Sequence, residues 1–428
     1  MTSIDRRRFL VGAAGAGFIA ATGPLAGVAA AAPRNATRTR VYVVVVDGCS
    51  PGEITPTLMP NLSALRDAGT NFPAAQSLPV METIPNHVMM MSGVRPDRSG
   101  VPANTVYDRV EGAVRTLDRP TDLGFPTLLD RLRDLGRTTG SVLSKEYLFG
   151  IFGQRATYRW EPAPIVPVSG HAPDPFTADA LIAMVDGVDP DLVFANFGDI
   201  DRYGHSDYTG PLSVNALRLA ALAGQDLQIG RFLKQLKTTG KWSSSVVLVL
   251  ADHSMDWSPP TGFITLDAVL GADPLLAGNY VIAQNGGAEL ISWTGQETDR
   301  AAGIARIRRL AQLQTGVLSV HDPAEFRLGA RAGDVLCYAR AGFRFSDTTQ
   351  VSNPLPGNHG HPATLPIPFF VGGGSPLVSP GRTSSSAART IDVAPTIGSL
   401  FGLSAPPGGY DGTARTEAFT ARPAKRPR

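Results

Sequence analysis

Apolar residues along this chain follow two alternating rhythms. Val41–Val46, Asp191–Phe197 and Ser245–Leu250 are short runs, apolar almost throughout, and they predict strands buried on both faces. Between and around them apolar residues recur at helical spacing. Met59–Ala68, Phe125–Leu135, Ala178–Val185 and Leu212–Leu236 read this way, with Leu128, Leu129, Leu132 and Leu135 on one face of the second. Gly140–Leu143 predicts a short strand and Pro368–Gly372 a late apolar one. Val393–Phe401 predicts a closing helix, with Asp392 as cap, Pro395 in its first turn and Gly402 as its stop. This alternation predicts an α/β fold, a doubly wound and mostly parallel sheet with helices on both faces. The rhythm breaks at about residues 254–357, where the helix Arg300–Leu313 and the short strands Tyr280–Ala283 and Glu289–Ser292 predict a smaller inserted α+β region.

One helix start stands out. Thr83 lies two residues before Pro85, Val88–Met91 forms a helical core, and Gly93 is a C-terminal stop. Unpaired N–H groups and the positive end of the helix dipole favour an anion there. Taken alone, Thr83 reads first as an ordinary N-cap.

Composition removes some functions and adds others. Residues 1–32 predict a cleaved twin-arginine export leader, with Arg6, Arg7 and Arg8 ahead of an Ala/Gly-rich, weakly apolar run. The expected mature chain, residues 33–428, keeps 36 Lys+Arg and 36 Asp+Glu, so its formal charge is zero. Nothing in it predicts a nucleic-acid-binding surface, and no later stretch approaches the ~18 apolar residues of a membrane span. The leader implies the twin-arginine export machinery as a partner and a periplasmic or extracellular location. That route carries folded proteins, which suits a metal site filled before export. Two cysteines, Cys49 and Cys337, could pair after export.

Chemistry-bearing residues cluster where the predicted strands end. Asp47 closes the first buried run, and Asp201 and His205 follow the second. Asp252 and His253 close the third, and His359 and His361 sit in a glycine-rich loop before the last strand. In open α/β sheets the carboxyl edge is where ligands bind. Oxygen and imidazole ligands in this mixture suit zinc, and manganese less well. Each residue alone has a plain structural explanation, a turn carboxylate or a surface histidine. Four of the seven histidines falling in these segments favour the joint reading.

The same segments resemble the alkaline phosphatase superfamily, most closely its type I phosphodiesterase/nucleotide pyrophosphatase branch. The resemblance rests on V-V-D-G at Val45–Gly48, T-x-P-N-H at Thr83–His87 and the G-x-R-P-D-R-x-G run from Gly93 towards Asn104. It continues through D-x-x-x-H at Asp201–His205, D-H-x-M at Asp252–Met255, N-H-G at Asn358–Gly360 and the closing helix. It covers about Arg40 to Leu403. It implies two divalent metal ions, preferably zinc. Asp201, His205 and His359 would hold one; Asp47, Asp252, His253 and the Thr83 oxygen would hold the other. Thr83 would be the nucleophile of a covalent phospho-enzyme mechanism, and Asn104 would bind a phosphate oxygen. His361 competes with His359, which is preferred because glycine follows it directly. His87 is expected in helix packing, and His171 and His321 in structural or surface roles. The substrate implied is a small phosphate ester, most simply a diester or pyrophosphate. Phosphomonoester or phosphonate hydrolysis on the same scaffold, and a non-catalytic exported metal-binding protein, are the alternatives. Cys49-Ser50-Pro51-Gly52-Glu53 imitates a sulfatase signature but ends in Glu53 instead of arginine. Ile84 stands where nucleotide-cleaving relatives often place a base-stacking aromatic ring, which weakens a nucleotide preference. Glu82 is expected to be solvated.

Overall fold

The computed structural model describes residues 9–11, 38–349 and 351–420. Most of the expected leader therefore lies outside the described residues. A nine-stranded sheet forms the centre, with strands β1 (Phe9–Val11), β2 (Arg40–Val46), β3 (Thr70–Asn71), β4 (Thr139–Leu143), β5 (Tyr158–Trp160), β6 (Leu192–Phe197), β7 (Ser245–Leu250), β8 (Phe369–Gly372) and β9 (Arg382–Thr383). Their order is β1-β5-β4-β6-β2-β7-β8-β3-β9. The five central strands, β5, β4, β6, β2 and β7, are mutually parallel, and β8 joins β7 antiparallel. This is the mixed, mostly parallel sheet expected from the pattern of buried runs.

Strand β2 lies between β6 and β7, with Val41 opposite Leu192 and Val246. Its valines are fully buried, each contributing on the order of 1.5 kcal/mol or more from area removed from water. Helices α1 (Pro60–Ala68), α2 (Thr83–Ser92), α3 (Leu128–Asp134), α4 (Asp174–Gly187), α5 (Asp199–His205), α6 (Ala216–Thr238) and α7 (Val393–Phe401) cover the sheet. Local chemistry moves some expected boundaries. Pro126 delays α3, and Thr127 then caps it reciprocally with Asp130, whose Oδ2 accepts from the Thr127 amide at 2.8 Å. Left-handed Asn215 (φ 50°) holds back the start of α6.

The inserted region builds a second, four-stranded antiparallel sheet from Tyr280–Asn285, Ala288–Trp293, Val335–Ala339 and Val317–His321. The helix Arg300–Gln312 packs on it through Ile307 and Ala311, in an apolar cluster of its own that includes Trp293 and Phe345. Cys49 belongs to the main core and Cys337 to this second cluster; both are buried free thiols, so the two do not pair. No helix among the described residues is long and apolar enough to cross a membrane.

Parallel strands place their carboxyl ends on one edge. Asp47 follows β2 directly, Asp201 lies in the helix that starts two residues after β6, and Asp252-His253 follow β7. Lys145 follows β4 by two residues on the same edge. The loop bearing His359 reaches this edge too, and the 285–288 hairpin tip steadies it through a Gly287 amide bond to the His359 carbonyl at 2.6 Å.

Candidate active site

Helix α2 begins at Thr83 itself, and Glu82, not Thr83, is its N-cap residue. The threonine hydroxyl is therefore not spent on capping. Thr83 is 1% exposed, and its Oγ1 lies 3.3 Å from His253 Nε2 and 3.4 Å from Lys145 Nζ. Asn86, one turn on, fixes the approach to the helix. Its Nδ2 donates to the carbonyls of Leu78, Val80 and Glu82, and its Oδ1 accepts from the Leu78 amide and the Thr390 hydroxyl.

Three histidines present the same side inward. The Nδ1 of His205 is 2.7 Å from the Gly357 carbonyl, that of His253 2.9 Å from Ser254, and that of His359 3.2 Å from Met81. Each Nδ1–H is thereby committed to a backbone carbonyl, and each Nε2 is left as a lone pair. These nitrogens face carboxylates: His205 Nε2 is 3.3 Å and His359 Nε2 3.7 Å from Asp201 Oδ1, while His253 Nε2 is 3.4 Å from Asp252 Oδ2. Asp201 Oδ1 and Asp252 Oδ2 are buried and have no hydrogen-bond partner. Lone pairs opposed across such short gaps repel unless a cation lies between them. The residues thus fit a metal centre with its outer hydrogen bonds already made.

Two groups have ligand atoms mutually close enough for one ion: Asp47 with Asp252 and His253, and Asp201 with His253 and His359. The first matches the expected set for the threonine-side metal. In the second, His253 takes the place expected of His205. The His205 ring still stands 5.1 Å from that of His359 and lines the same cavity. His361 turns away to Asp256 Oδ2 at 3.0 Å. His87 is a buried residue of α2 itself, its Nδ1 bonded to the Thr83 carbonyl at 2.8 Å. Burial pushes its pKa down to about 4. His171 bonds Asp199 and Ser169, and His321 bonds Glu325 and Ser319. Asn104 Oδ1 accepts from the Ile84 amide at 2.7 Å, so the donor it can offer a substrate oxygen is Nδ2.

Glu82 corrects the expectation of a solvated side chain. It is 3% exposed, and its Oε2 accepts from the Asn104 amide at 3.2 Å. Burial raises its pKa well above the usual carboxylate range.

Two further residues belong to the site although no motif marks them. Lys145 is fully buried, with Nζ 2.8 Å from both Asp47 Oδ1 and Asp201 Oδ2. Burial alone would lower its pKa, but the two carboxylates outweigh that and raise it. Asn196 donates to Asp47 Oδ2 at 2.7 Å from inside β6. Lys145 was detectable as a charged residue just past a strand end, and Asn196 as the one polar residue in an apolar strand.

The sequence profile described as "Type I phosphodiesterase / nucleotide pyrophosphatase" matches residues 41–362. The chain belongs to that family. Among relatives of this phosphodiesterase-family chain, the venom phosphodiesterase of Macrovipera lebetinus is 25% identical over 53% of this chain and 27% of its own length. The bis(5'-adenosyl)-triphosphatase enpp4 of Xenopus laevis is 22% identical over 59% of this chain and 54% of its own length. The matches thus span about a quarter and about a half of these two relatives. The fold is that of murine ectonucleotide pyrophosphatase/phosphodiesterase 5, also solved as an inactive variant in complex with AMP, with a TM-score of 0.74 at 18% identity. That comparison covers 89% of this chain and all of the other. The human counterpart gives 0.73 at 17% identity over 90% of this chain and all of its own.

Proposed function

We propose that this chain is an exported, metal-dependent hydrolase of phosphoric esters, of phosphodiesterase type, with Thr83 as its nucleophile. The observation that carries the reading is the buried Thr83 hydroxyl at the start of α2, 3.3 Å from His253 Nε2 and beside carboxylate oxygens that have no hydrogen-bond partner. Asp47, Asp252, His253 and Thr83 would hold one divalent ion, and Asp201, His205 and His359 a second; zinc suits the mixed nitrogen and oxygen set. When bound, such ions lower the pKa of a coordinated hydroxyl and offset charge on the phosphoryl oxygens.

The protein's own groups supply the remaining chemistry. Thr83 Oγ1 attacks phosphorus and the first alcohol leaves; water then cleaves the threonyl phosphoester and restores the hydroxyl. Asn104 Nδ2 donates to a non-bridging oxygen as charge builds there. The dipole of α2 adds positive potential at the same point. In domain terms the reading is a leader over residues 1–32, whose Phe9–Val11 strand pairs with β5 at the edge of the sheet and would leave with the leader, and one catalytic domain over 33–428, with the insertion at about 254–357. Export rests on the twin arginines of that leader.

The test is a panel on the zinc-loaded mature protein: a bis-aryl phosphate diester, an aryl monoester, a dinucleotide and an aryl phosphonate. The diester is the expected preferred substrate, and a large preference for the monoester would overturn the phosphodiesterase assignment. Thr83→Ala should lower turnover at least about 10³-fold, as loss of a nucleophile does elsewhere. Wild-type turnover in that variant with metals bound would remove Thr83 from the mechanism.

A further inference from the structure

A cavity of about 230 Å³ opens beside the nucleophile, bounded by Glu82, Asn104, Tyr147, Arg202, Gln284 and Asn358 among others. It is below the ~300 Å³ at which sites for drug-sized ligands begin, and apart from the His205 and His359 imidazoles Tyr147 is the one ring in its wall. What it offers instead is unspent polar capacity. The Arg202 guanidinium lies over the Tyr147 ring, 5.6 Å from its centroid, and Nη2 donates to the Tyr147 hydroxyl at 3.3 Å. Its Nε is buried without a hydrogen-bond partner, the nearest carboxylate oxygen being Asp201 Oδ2 at 4.0 Å. Both amide atoms of Asn358, another residue lining the cavity, are buried and likewise unpartnered. Buried donors left without acceptors are costly, and a guanidinium is shaped for a planar or tetrahedral oxyanion.

Charge balance points the same way. Asp47, Asp201 and Asp252 face two side-chain cations, Lys145 and Arg202, and both cations stand within 6 Å of the Tyr147 ring. Two divalent ions, on the reading above, bring four further positive charges. The loaded site then stands two or three positive, according to Glu82, with the Thr83 hydroxyl protonated, and one or two positive with it ionised, and a phosphodiester contributes a single negative charge.

We propose that the substrate is a compact phosphoric ester carrying a second oxyanion, a carboxylate or a phosphate, seated on Arg202 and Asn358. This rests on the hydrolase reading, so its test begins with binding and not with turnover. On the zinc-loaded full chain, isothermal titration compares propylphosphonate, carboxyethylphosphonate and ethylene bisphosphonate. At least one of the latter two should bind about 10-fold or more tighter than propylphosphonate, as one charged hydrogen bond warrants; which of them does so tells carboxylate from phosphate. In Arg202→Met the ratio should fall to near one, and Arg202→Lys should restore part of it. Asn358→Ala carries the same test should the arginine variant fail to fold. Equal affinities in the wild type, or a preference that survives Arg202→Met, would overturn the seat. Turnover of the matching para-nitrophenyl diesters then separates the two ideas. Selective binding without turnover of any diester sinks the hydrolase reading and upholds the seat. Turnover without selective binding sinks the seat alone.

Discussion

Glu82 and Lys145 show how much of this site is decided by single buried side chains. Glu82 Oε2 holds the Asn104 amide, while Asn104 Oδ1 holds the Ile84 amide, so the acid positions the residue proposed to meet the phosphate. Glu82→Gln keeps an acceptor of the same shape, and its kcat should stay within about threefold of wild type. Glu82→Ala frees Asn104 and should lower kcat by about 10- to 100-fold, the scale expected for an ångström of misplacement. Steady-state kinetics on the two variants decides this, and equal losses would argue against a positioning role. Lys145 holds Asp47 and Asp201 together by charge. Lys145→Met leaves Asp47 without its ion-pair partner and Asp201 with only the Arg202 guanidinium at 4.0 Å, a loss of about 3–5 kcal/mol in the metal-free chain. Urea denaturation with and without zinc should show a smaller loss in the loaded protein, because metal ions would supply the missing positive charge. The same loss in both states would mean that Lys145 is not the counter-charge.

Among the elements, α2 carries the most consequence for its length. It starts at Thr83 and ends at Gly93, whose φ of 70° supplies the left-handed cap. A Cβ at Gly93 would collide with the Tyr410 ring, so the stop read from sequence also has a packing reason. Asn86 reaches back from within the helix to pair the Leu78 amide and carbonyl, and it adds a second donor to the Val80 and Glu82 carbonyls, which also accept from the Glu82 and Asn86 amides. Asn86→Ala should therefore cost about 2–4 kcal/mol, the sum of several buried groups left unpaired. Chemical denaturation measures it, and a loss below 1 kcal/mol, the scale of an exposed bond, would show that the network matters little. Most of this helix was legible in Thr83, Pro85 and Gly93. The role of Asn86 was not, because its partners are backbone carbonyls whose direction no residue type announces.

For the whole molecule, one carboxylate ties three distant parts of the chain. Asp411 accepts from the Arg95 amide at 2.8 Å, from Arg327 Nη1 at 2.9 Å and from Arg98 Nη1 at 3.4 Å. It thus clamps the C-terminal arm to the segment after α2 and to the inserted region. Burial alone would raise its pKa, but these donors outweigh burial and lower it. A folded carboxyl below the unfolded value of about 3.9 contributes stability that is complete above about pH 4. That contribution is lost as pH falls through the folded pKa. Asp411→Asn should therefore lower the melting temperature at neutral pH and flatten its fall in acid. Parallel thermal melts across that range test this, and an unchanged acid slope in the variant would remove Asp411 as a contributor.

The sequence by itself determined the fold class, the buried parallel strands and the segments that would meet at the sheet edge. Hydrophobic periodicity depends on neighbours along the chain, and strand ends in a parallel sheet converge whatever lies between them. Asp47, Asp201, Asp252 and His253 were legible for that reason, and His359 through the glycine-rich N-H-G loop that carries it. Tertiary structure alone decided which histidine joins which carboxylates, that Cys49 and Cys337 lie in separate cores, that Glu82 is buried, and that Lys145 and Arg202 share one aromatic ring beside the nucleophile. Those outcomes depend on distances of a few ångströms between residues far apart in the chain. Electrostatics and desolvation act at that range, and residue order does not encode it directly.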